Sequence, residues 1–222
     1  DLGGGPGRYT IELLQRGYRV TLIDLAPRNV ARARVELDRL GLIADDVREG
    51  DARDLGAIPD RAFDAALMLG PLYHILAEED RRAALAELRR VLCPGAPAIV
   101  GFINPWGILR SGLTEFPAEY ADEPHIRKLL TTCVQAGEQE AFTEAAFVSP
   151  PQAIAELRAA GFAVDTYAGV EGFAAGMLDE VEQIAETDAG AYESILQLVA
   201  ETCDHPAFRD STEHVHIVAR AL

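Results

Sequence analysis

Asp1-Leu2-Gly3-Gly4-Gly5-Pro6-Gly7 opens the chain, and Asp24 ends the apolar run Val20-Thr21-Leu22-Ile23. Gly3, Gly5 and Gly7 stand on alternate positions behind an acid, a D-x-G-x-G-x-G pattern. Glycine suits a turn that leaves a strand and lays bare backbone against a ligand, because a Cβ would collide with it. In the next stretch, Arg8 to Gly17, Ile11, Leu13 and Leu14 form an amphipathic pattern. The loop therefore opens a helix whose first N–H groups lack internal partners and face whatever the loop holds. Asp24 follows about 20 residues on, the spacing at which a strand-end carboxylate grips ribose hydroxyls. A turn rich in glycine for flexibility alone is the bland alternative, and loop, helix and acid in one register argue against it.

The rest of the chain alternates strand and helix, which predicts a parallel sheet covered on both faces. Pro27 begins a helix whose stretch Val30 to Leu40 stops at Gly41. Val47 to Glu49 is a short strand leading into Gly50-Asp51-Ala52, and Phe63 to Leu69 is the fourth strand, broken at Gly70-Pro71. Ala84, Leu85, Leu88, Val91 and Leu92 form a helical stripe ending at Pro94-Gly95, before a fifth strand from Pro97 to Ile103. From Asn104 to Val148 the alternation lapses, with one helix expected around His125 to Ala136. So long an insertion reads as a helical cap or lid over the ligand-bearing edge of the sheet. Ser149-Pro150 starts another helix, Phe162 to Tyr167 is a strand, Gly176 to Cys203 is helical, and His214 to Ala221 is the last strand. Residues 1–222 thus read as a single domain with 104–148 inserted as the cap. Only Asp1 and Leu2 of the strand entering the glycine loop are present, so the reading expects further residues upstream.

Composition narrows the function. Acidic residues number 36 against 20 basic ones, a net charge of −16, and hydrophobic residues make up 49% of the chain. Phosphate backbones are bound by Lys and Arg, so this balance argues against nucleic acid. The dense basic stretch Arg81-Arg82 with Arg89-Arg90 alternates with Glu78, Glu79, Asp80 and Glu87 and reads as a solvated, salt-laced helix face. No apolar run approaches the ~20 residues that span a bilayer. Cys93, Cys133 and Cys203 are widely spaced without a C-x-x-C, which points to a reducing cytoplasm and no structural zinc.

A dinucleotide fingerprint needs glycines at i, i+2 and i+5. From Gly3 the third position is Arg8 and from Gly5 it is Thr10, so the pattern fails. The loop instead resembles motif I of the class I S-adenosylmethionine-dependent methyltransferases. Four further segments match that family in order. Gly50-Asp51-Ala52 stands where the family holds the adenine. Asp64 to Gly70 is similar to its fourth strand, and Arg90-Val91-Leu92-Cys93-Pro94-Gly95-Ala96 to its R-x-L-x-P-G-G turn, with Ala96 for the last glycine. His214 to Leu222 fits its antiparallel last strand. Within the superfamily, Leu69-Gly70-Pro71-Leu72-Tyr73-His74 resembles the small-molecule enzymes of the ubiquinone-biosynthesis type.

The resemblance implies a Rossmann-like methyltransferase fold, with a mostly parallel seven-stranded sheet and an antiparallel last strand. It also implies S-adenosyl-L-methionine as cofactor. Gly3 and Gly5 then let the ligand approach, Asp1 faces its ammonium side and Arg8 holds its carboxylate. Asp24 takes both ribose hydroxyls, Leu25 packs on the adenine, Asp51 takes the adenine amino group with the Ala52 backbone N–H on the ring, and the Leu69 carbonyl reaches the methionine ammonium. A turn aspartate facing solvent is the bland alternative for Asp51.

Tyr73 and His74 follow the fourth strand, at the carboxyl ends where open α/β sheets bind ligands, and are the catalytic candidates on the acceptor side. Histidine is the residue type that exchanges a proton near neutrality, so His74 is set against a structural, hydrogen-bonded histidine. The acceptor pocket is expected between these residues and the 104–148 segment. His125 and Glu144 in that segment read as surface groups, Phe102, Trp106 and Phe116 as core aromatics rather than the lining of an apolar acceptor pocket, and His214 with His216 as strand packing rather than a metal pair. The partners expected are a small-molecule acceptor, no nucleic acid and no membrane, with a homodimer left open. The competing readings are a methyltransferase acting on RNA or protein, and a ligand-binding module that kept the fold without turnover.

Overall fold

A computed structural model describes residues 1–135, 137 and 144–222. By internal packing these form two units, one of residues 1–100, 156–164 and 218–222, the other of 101–155 and 165–217.

In the first unit, helix α1 (Arg8–Gln15) follows the glycine loop, and strand β1 (Thr21–Asp24) leads to helix α2 (Pro27–Leu40) and strand β2 (Asp46–Glu49). Pro27 sits in the first turn of α2, where its missing N–H costs nothing, and Gly41 closes the helix in the left-handed region (φ 65°). Val30, Ala33 and Leu37 form the buried stripe that α2 lays against β1 and β2. β1 and β2 pair in parallel from Thr21 opposite Asp46 to Asp24 opposite Glu49, which brings their ends, Asp24 and the Gly50-Asp51 turn, side by side. Strand β3 (Ala66–Met68) is followed by the short helix α3 (Pro71–His74), helix α4 (Glu78–Val91) and strand β4 (Pro97–Ile103). β3 and β4 also pair in parallel. Leu2 lies between the two strand pairs. Its N–H donates to Leu67 O at 2.8 Å, while the Gly3 N–H donates to Ile23 O at 2.7 Å.

Strand β8 (His214–Ala221) joins β4 on one side and β7 (Phe162–Gly169) on the other, in the order β3-β4-β8-β7. Gly95 N–H donates to Ala221 O, and Asn104 N–H donates to Glu213 O, so residue numbers climb on β4 as they fall on β8. Those two strands run in opposite directions.

The charged stretch on α4 departs from its expected solvated role. Arg81 is only 7% exposed and Glu156, on helix α7 (Pro150–Ala159), 8%. Arg81 Nε and Nη2 donate to the two Glu156 carboxylate oxygens at 3.1 and 2.7 Å, and Nη1 donates to the carbonyls of Ile75 and Leu76. A guanidinium survives burial here because its donors are answered in the plane of the fork. Other charges of α4 face a neighbouring loop. Glu87 accepts the Leu55 N–H at 2.7 Å, and Arg90 donates to Ile58 O, Leu55 O and Asp60. Periodicity separated polar from apolar positions on α4, yet the partner of Arg81 lies 75 residues away.

In the second unit, the segment from 104 holds a helix that sequence periodicity left out, α5 (Pro105–Glu115). Asn104 caps it by accepting the Trp106 N–H, and Pro105 fills the first turn. Helix α6 (Glu123–Thr132) ends before the expected boundary at Ala136, which lies outside the described residues, as do 138–143 of the insertion. The two-residue strands β5 (Val134–Gln135) and β6 (Ala145–Ala146) pair with each other. The expected single helix over 176–203 is two, α8 (Leu178–Thr187) and α9 (Ala189–Thr202), because Asp188 turns to accept the Ala191 N–H and cap the second. The short helix α10 (Pro206–Arg209) precedes β8.

Phe102 is core as expected, whereas Trp106 and Phe116 are more than half exposed. Asn104 is fully buried, and its side-chain amide donates to the carbonyls of Asp210 and Thr212. A Cβ on Gly107 would stand 2.0 Å from Thr212 O, so only glycine allows α5 that close to the turn before β8.

The Arg81–Glu156 pair yields a stability test. Glu156→Ala leaves a buried cation without its partner and is expected to lower the unfolding free energy by about 3–5 kcal/mol. Replacing both groups, Arg81→Met with Glu156→Leu, is expected to return within about 2 kcal/mol of wild type, the residue being two carbonyls without a donor. Urea unfolding of the three proteins measures both.

Candidate functional site

The site is built at the ends of β1, β2 and β3 around the glycine loop. Gly3, Gly5 and Gly7 all have positive φ, 71°, 55° and 92°. The reasons for glycine differ along the loop. A Cβ on Gly3 would meet Pro71 at 2.3 Å, and one on Gly7 would press on Ala33 at 3.3 Å, so both serve close packing. A Cβ on Gly5 meets nothing within 4 Å, so this backbone is open to a ligand.

Asp24 holds that loop in place. Its Oδ2 accepts the Gly5 N–H at 2.7 Å, and its Oδ1 accepts the Ala26 N–H at 2.9 Å and the Asn29 side-chain amide at 3.1 Å. A carboxylate offers about four acceptor positions. Three donors occupy them here, leaving one, on Oδ2. A grip on two ribose hydroxyls therefore requires one donor to withdraw, and the Asn29 side chain is the one that moves without disturbing backbone. Leu25, the next residue, is 63% exposed and offers an apolar face beside that carboxylate.

Asp1 is tied by its side chain to the start of α1. Its Oδ2 accepts the hydroxyl proton of the fully buried Thr10 at 2.7 Å and would stand 2.8 Å from a Cβ on Gly4. Arg8 begins α1 and is exposed. The Gly50 N–H donates to Asp24 O at 3.0 Å, which sets the Asp51 turn beside Asp24; a Cβ on Gly50 would strike Ile23 at 2.8 Å. Ala52 is buried behind that turn, and Arg53 holds the Asp51 carboxyl below the usual carboxylate range. Sequence reading had not selected Arg53. Its signal was the Asp-x-Arg spacing, common enough on surfaces to pass unnoticed.

Leu69 is half-buried at the end of β3, and α3 begins directly after Gly70. Tyr73 and His74 are brought together there with ring centroids 4.6 Å apart. The Tyr73 hydroxyl would lie 3.7 Å from a Cβ on Gly70, on the loop side of α3. Burial, and to a lesser degree Tyr9, push the Tyr73 phenol upward, so it keeps its proton at neutral pH. His74 is exposed. One apolar cavity of about 310 Å³, lined by Leu13, Val20, Thr21, Phe63, Ile99 and other residues, gathers at the opposite, N-terminal ends of the strands. It is not the candidate site.

Residues 1–95 match the methyltransferase-domain family. The tRNA 5-carboxymethoxyuridine methyltransferase of Escherichia coli (strain K12) is 24% identical across 99% of this chain and 78% of its own. The ubiquinone biosynthesis O-methyltransferase of Cereibacter sphaeroides (strain ATCC 17025 / ATH 2.4.3) is 33% identical over 47% of this chain and 40% of its own. A solved S-adenosylmethionine-dependent methyltransferase from Methanosarcina mazei shares the fold, with TM-score 0.67 and 20% identity over 100% of this chain and 91% of that one.

Together these matches support a class I S-adenosylmethionine-dependent methyltransferase. The open Gly5 backbone, the Asp24 carboxylate and the exposed face of Leu25 fit the backbone approach, hydroxyls and ring that this cofactor presents.

The remaining histidines, His125, His205, His214 and His216, belong to the second unit. His214 Nδ1 pairs with Glu171 Oε1 at 2.7 Å, and the His214 N–H also donates to that carboxylate at 3.2 Å. Strand packing thus omitted an ion pair for His214. His125 and Glu144 are exposed. Among the described residues no group of His, Cys, Asp or Glu is arranged to hold a metal, and no helix is long and apolar enough to cross a membrane.

Two outcomes are expected. Asp24→Ala removes a charged acceptor worth ~1.5–3 kcal/mol, so S-adenosylhomocysteine binding is expected to weaken about 10- to 150-fold by calorimetry. The Glu171 carboxylate raises the His214 pKa above its ordinary 6.5. A raised folded value stabilises fully below the unfolded pKa and loses that contribution as pH rises through the folded one. Unfolding free energies of wild type minus Glu171→Gln are therefore expected to shrink as pH is taken upward from 6.5.

Proposed function

We propose that this methyltransferase moves a methyl group from S-adenosylmethionine to a small-molecule acceptor at the end of β3. The observation that carries the reading is the Gly5–Asp24 contact with open space above Gly5. The cofactor supplies an electrophilic methyl on a sulfonium whose positive charge disappears as the new bond forms. The protein then needs two reactants held in line, and such orientation supplies ~7–11 kcal/mol of the barrier. In this reading Gly3 and Gly5 admit the cofactor, Asp24 takes ribose hydroxyls, Leu25 covers the adenine, and Asp51 with Ala52 reads its edge. The Leu69 carbonyl and Asp1 face the ammonium group, and Arg8 the carboxylate.

Tyr73 and His74 form the acceptor side. Tyr73, a phenol that keeps its proton, donates a hydrogen bond to position the acceptor. His74 takes a proton where the acceptor must lose one. The same reading counts seven strands, in the order β2-β1-Leu2-β3-β4-β8-β7, and one domain in which 104–148 is the inserted cap. Parallel pairing on either side of Leu2, with the bonds from Leu2 N–H to Leu67 O and from Gly3 N–H to Ile23 O, supports the count.

A second reading, a nucleic-acid acceptor, is favoured by the Escherichia coli relative, whose named acceptor is tRNA. A net charge of −16 works against it, since affinity for a phosphate backbone comes largely from Lys and Arg that neutralise it.

Methyl-labelled cofactor, incubated separately with the low-mass, tRNA and protein fractions of an extract, separates the readings. Label on a low-mass molecule is the expected result, and label on tRNA or polypeptide overturns the acceptor assignment. With the acceptor in hand, His74→Ala is expected to lower turnover about 10²–10⁴-fold and leave S-adenosylhomocysteine affinity unchanged. Wild-type turnover in that variant removes His74 from the chemistry.

A further inference from the structure

The Asp51 carboxylate is not an ordinary turn aspartate. Arg53 closes on it in a fork. Nη2 donates to Oδ2 at 2.7 Å, and Nε is shared between Oδ1 at 3.0 Å and Oδ2 at 3.1 Å. The Arg53 backbone N–H adds a bond to Oδ1 at 2.9 Å, and the Asp54 N–H donates to Asp51 O at 3.0 Å, which closes the turn. The remaining arm of the guanidinium, Nη1, donates to Asp80 Oδ2 at 3.0 Å in the first turn of α4. One side chain thus grips Asp51 and anchors it to a helix.

Three N–H groups reach the Asp51 carboxylate through four contacts, two on each oxygen, but the Nε hydrogen is divided between both, so a ligand N–H that takes Oδ2 displaces only the 3.1 Å half of that shared bond. A planar fork fixes the plane of the carboxylate as well as its place, which a lysine ammonium does not. Both groups are partly exposed, at 30% for the Asp51 side chain and 42% for Arg53. Exposed pairs of this kind add little to folding stability. The arrangement therefore matters for where Oδ2 points more than for folding stability.

We infer that Arg53 is a positioning residue for adenine recognition, aiming Asp51 Oδ2 at the 6-amino group of the cofactor. The inference rests on the reading that Asp51 meets the adenine. It gives Arg53 a specificity role, selecting 6-amino over 6-oxo purines. A 6-oxo ring presents an acceptor where the amino group presents a donor, and two acceptors face each other.

The experiment compares S-adenosylhomocysteine with S-inosylhomocysteine, its 6-oxo counterpart, by calorimetry on the full chain and four variants. Wild type is expected to prefer the amino ligand by at least about 10-fold, the size of one charge-assisted hydrogen bond. Asp51→Ala is expected to abolish the preference. Arg53→Ala is expected to reduce it at least threefold with the melting temperature unchanged, and Arg53→Lys to restore little of it. Arg53→Gln, which keeps some of the chain's bulk, guards against a local collapse and is expected to behave as Arg53→Ala.

Distinct results overturn distinct statements. Equal binding of both ligands by wild type, or a preference that survives Asp51→Ala, overturns the reading of Asp51 and with it the role of Arg53. A preference lost in Asp51→Ala but kept in both Arg53→Ala and Arg53→Gln overturns the Arg53 role alone. Tighter S-adenosylhomocysteine binding by Arg53→Ala also overturns it, since the guanidinium would then be a competitor for Asp51.

Discussion

The bond from the Gly5 N–H to Asp24 Oδ2, 2.7 Å long, ties the glycine loop to the end of β1. A loop built on three left-handed glycines loses more conformational freedom on folding than any other stretch of similar length, and needs an outside hold. Asp24 supplies it with a carboxylate that is 8% exposed and answered by three donors. The same residue's carbonyl accepts the Gly50 N–H, so one strand end fixes two loops at once.

The polar groups around this centre divide by what they hold. Asp1 and Thr10 fasten the loop to α1. Arg81 and Glu156 join α4 to α7, and the remaining donor nitrogen of Arg81 steadies the carbonyls just after Tyr73 and His74. Arg53, Glu87 and Arg90 fasten residues 51–60 to α4. Buried ion pairs seldom raise net stability over apolar packing, and their better-attested use is to fix one arrangement among several. Here the fixed arrangement is the set of loops at the strand ends, where a methyl transfer reaction depends on alignment.

The acidity of the chain acquires a local meaning from these contacts. Of its charged groups, several carboxylates are consumed by arginines on neighbouring elements, as in Arg53–Asp80 and Arg90–Asp60. These cations are turned toward the protein's own loops. The basic stretch of α4 thus serves internal pinning.

Local sequence determined the loop, its helix, the strand ends bearing Asp24 and Asp51, and the alternation of β and α elements. Each of these rests on a short-range rule: positive φ favours glycine, an apolar run that ends in an acid marks a strand end, and apolar spacing reveals the buried face. The helix α5 escaped because Gly107 and Gly112 weaken its propensity, while Asn104 and Pro105 supply a cap that periodicity does not register. Only the tertiary structure decided that Arg81 is buried, that Asp24 already carries three donors, and that Arg53 grips Asp51 and reaches α4. Those facts depend on partners brought together by the fold, up to 75 residues apart in the chain, and a side chain's charge does not state who will answer it.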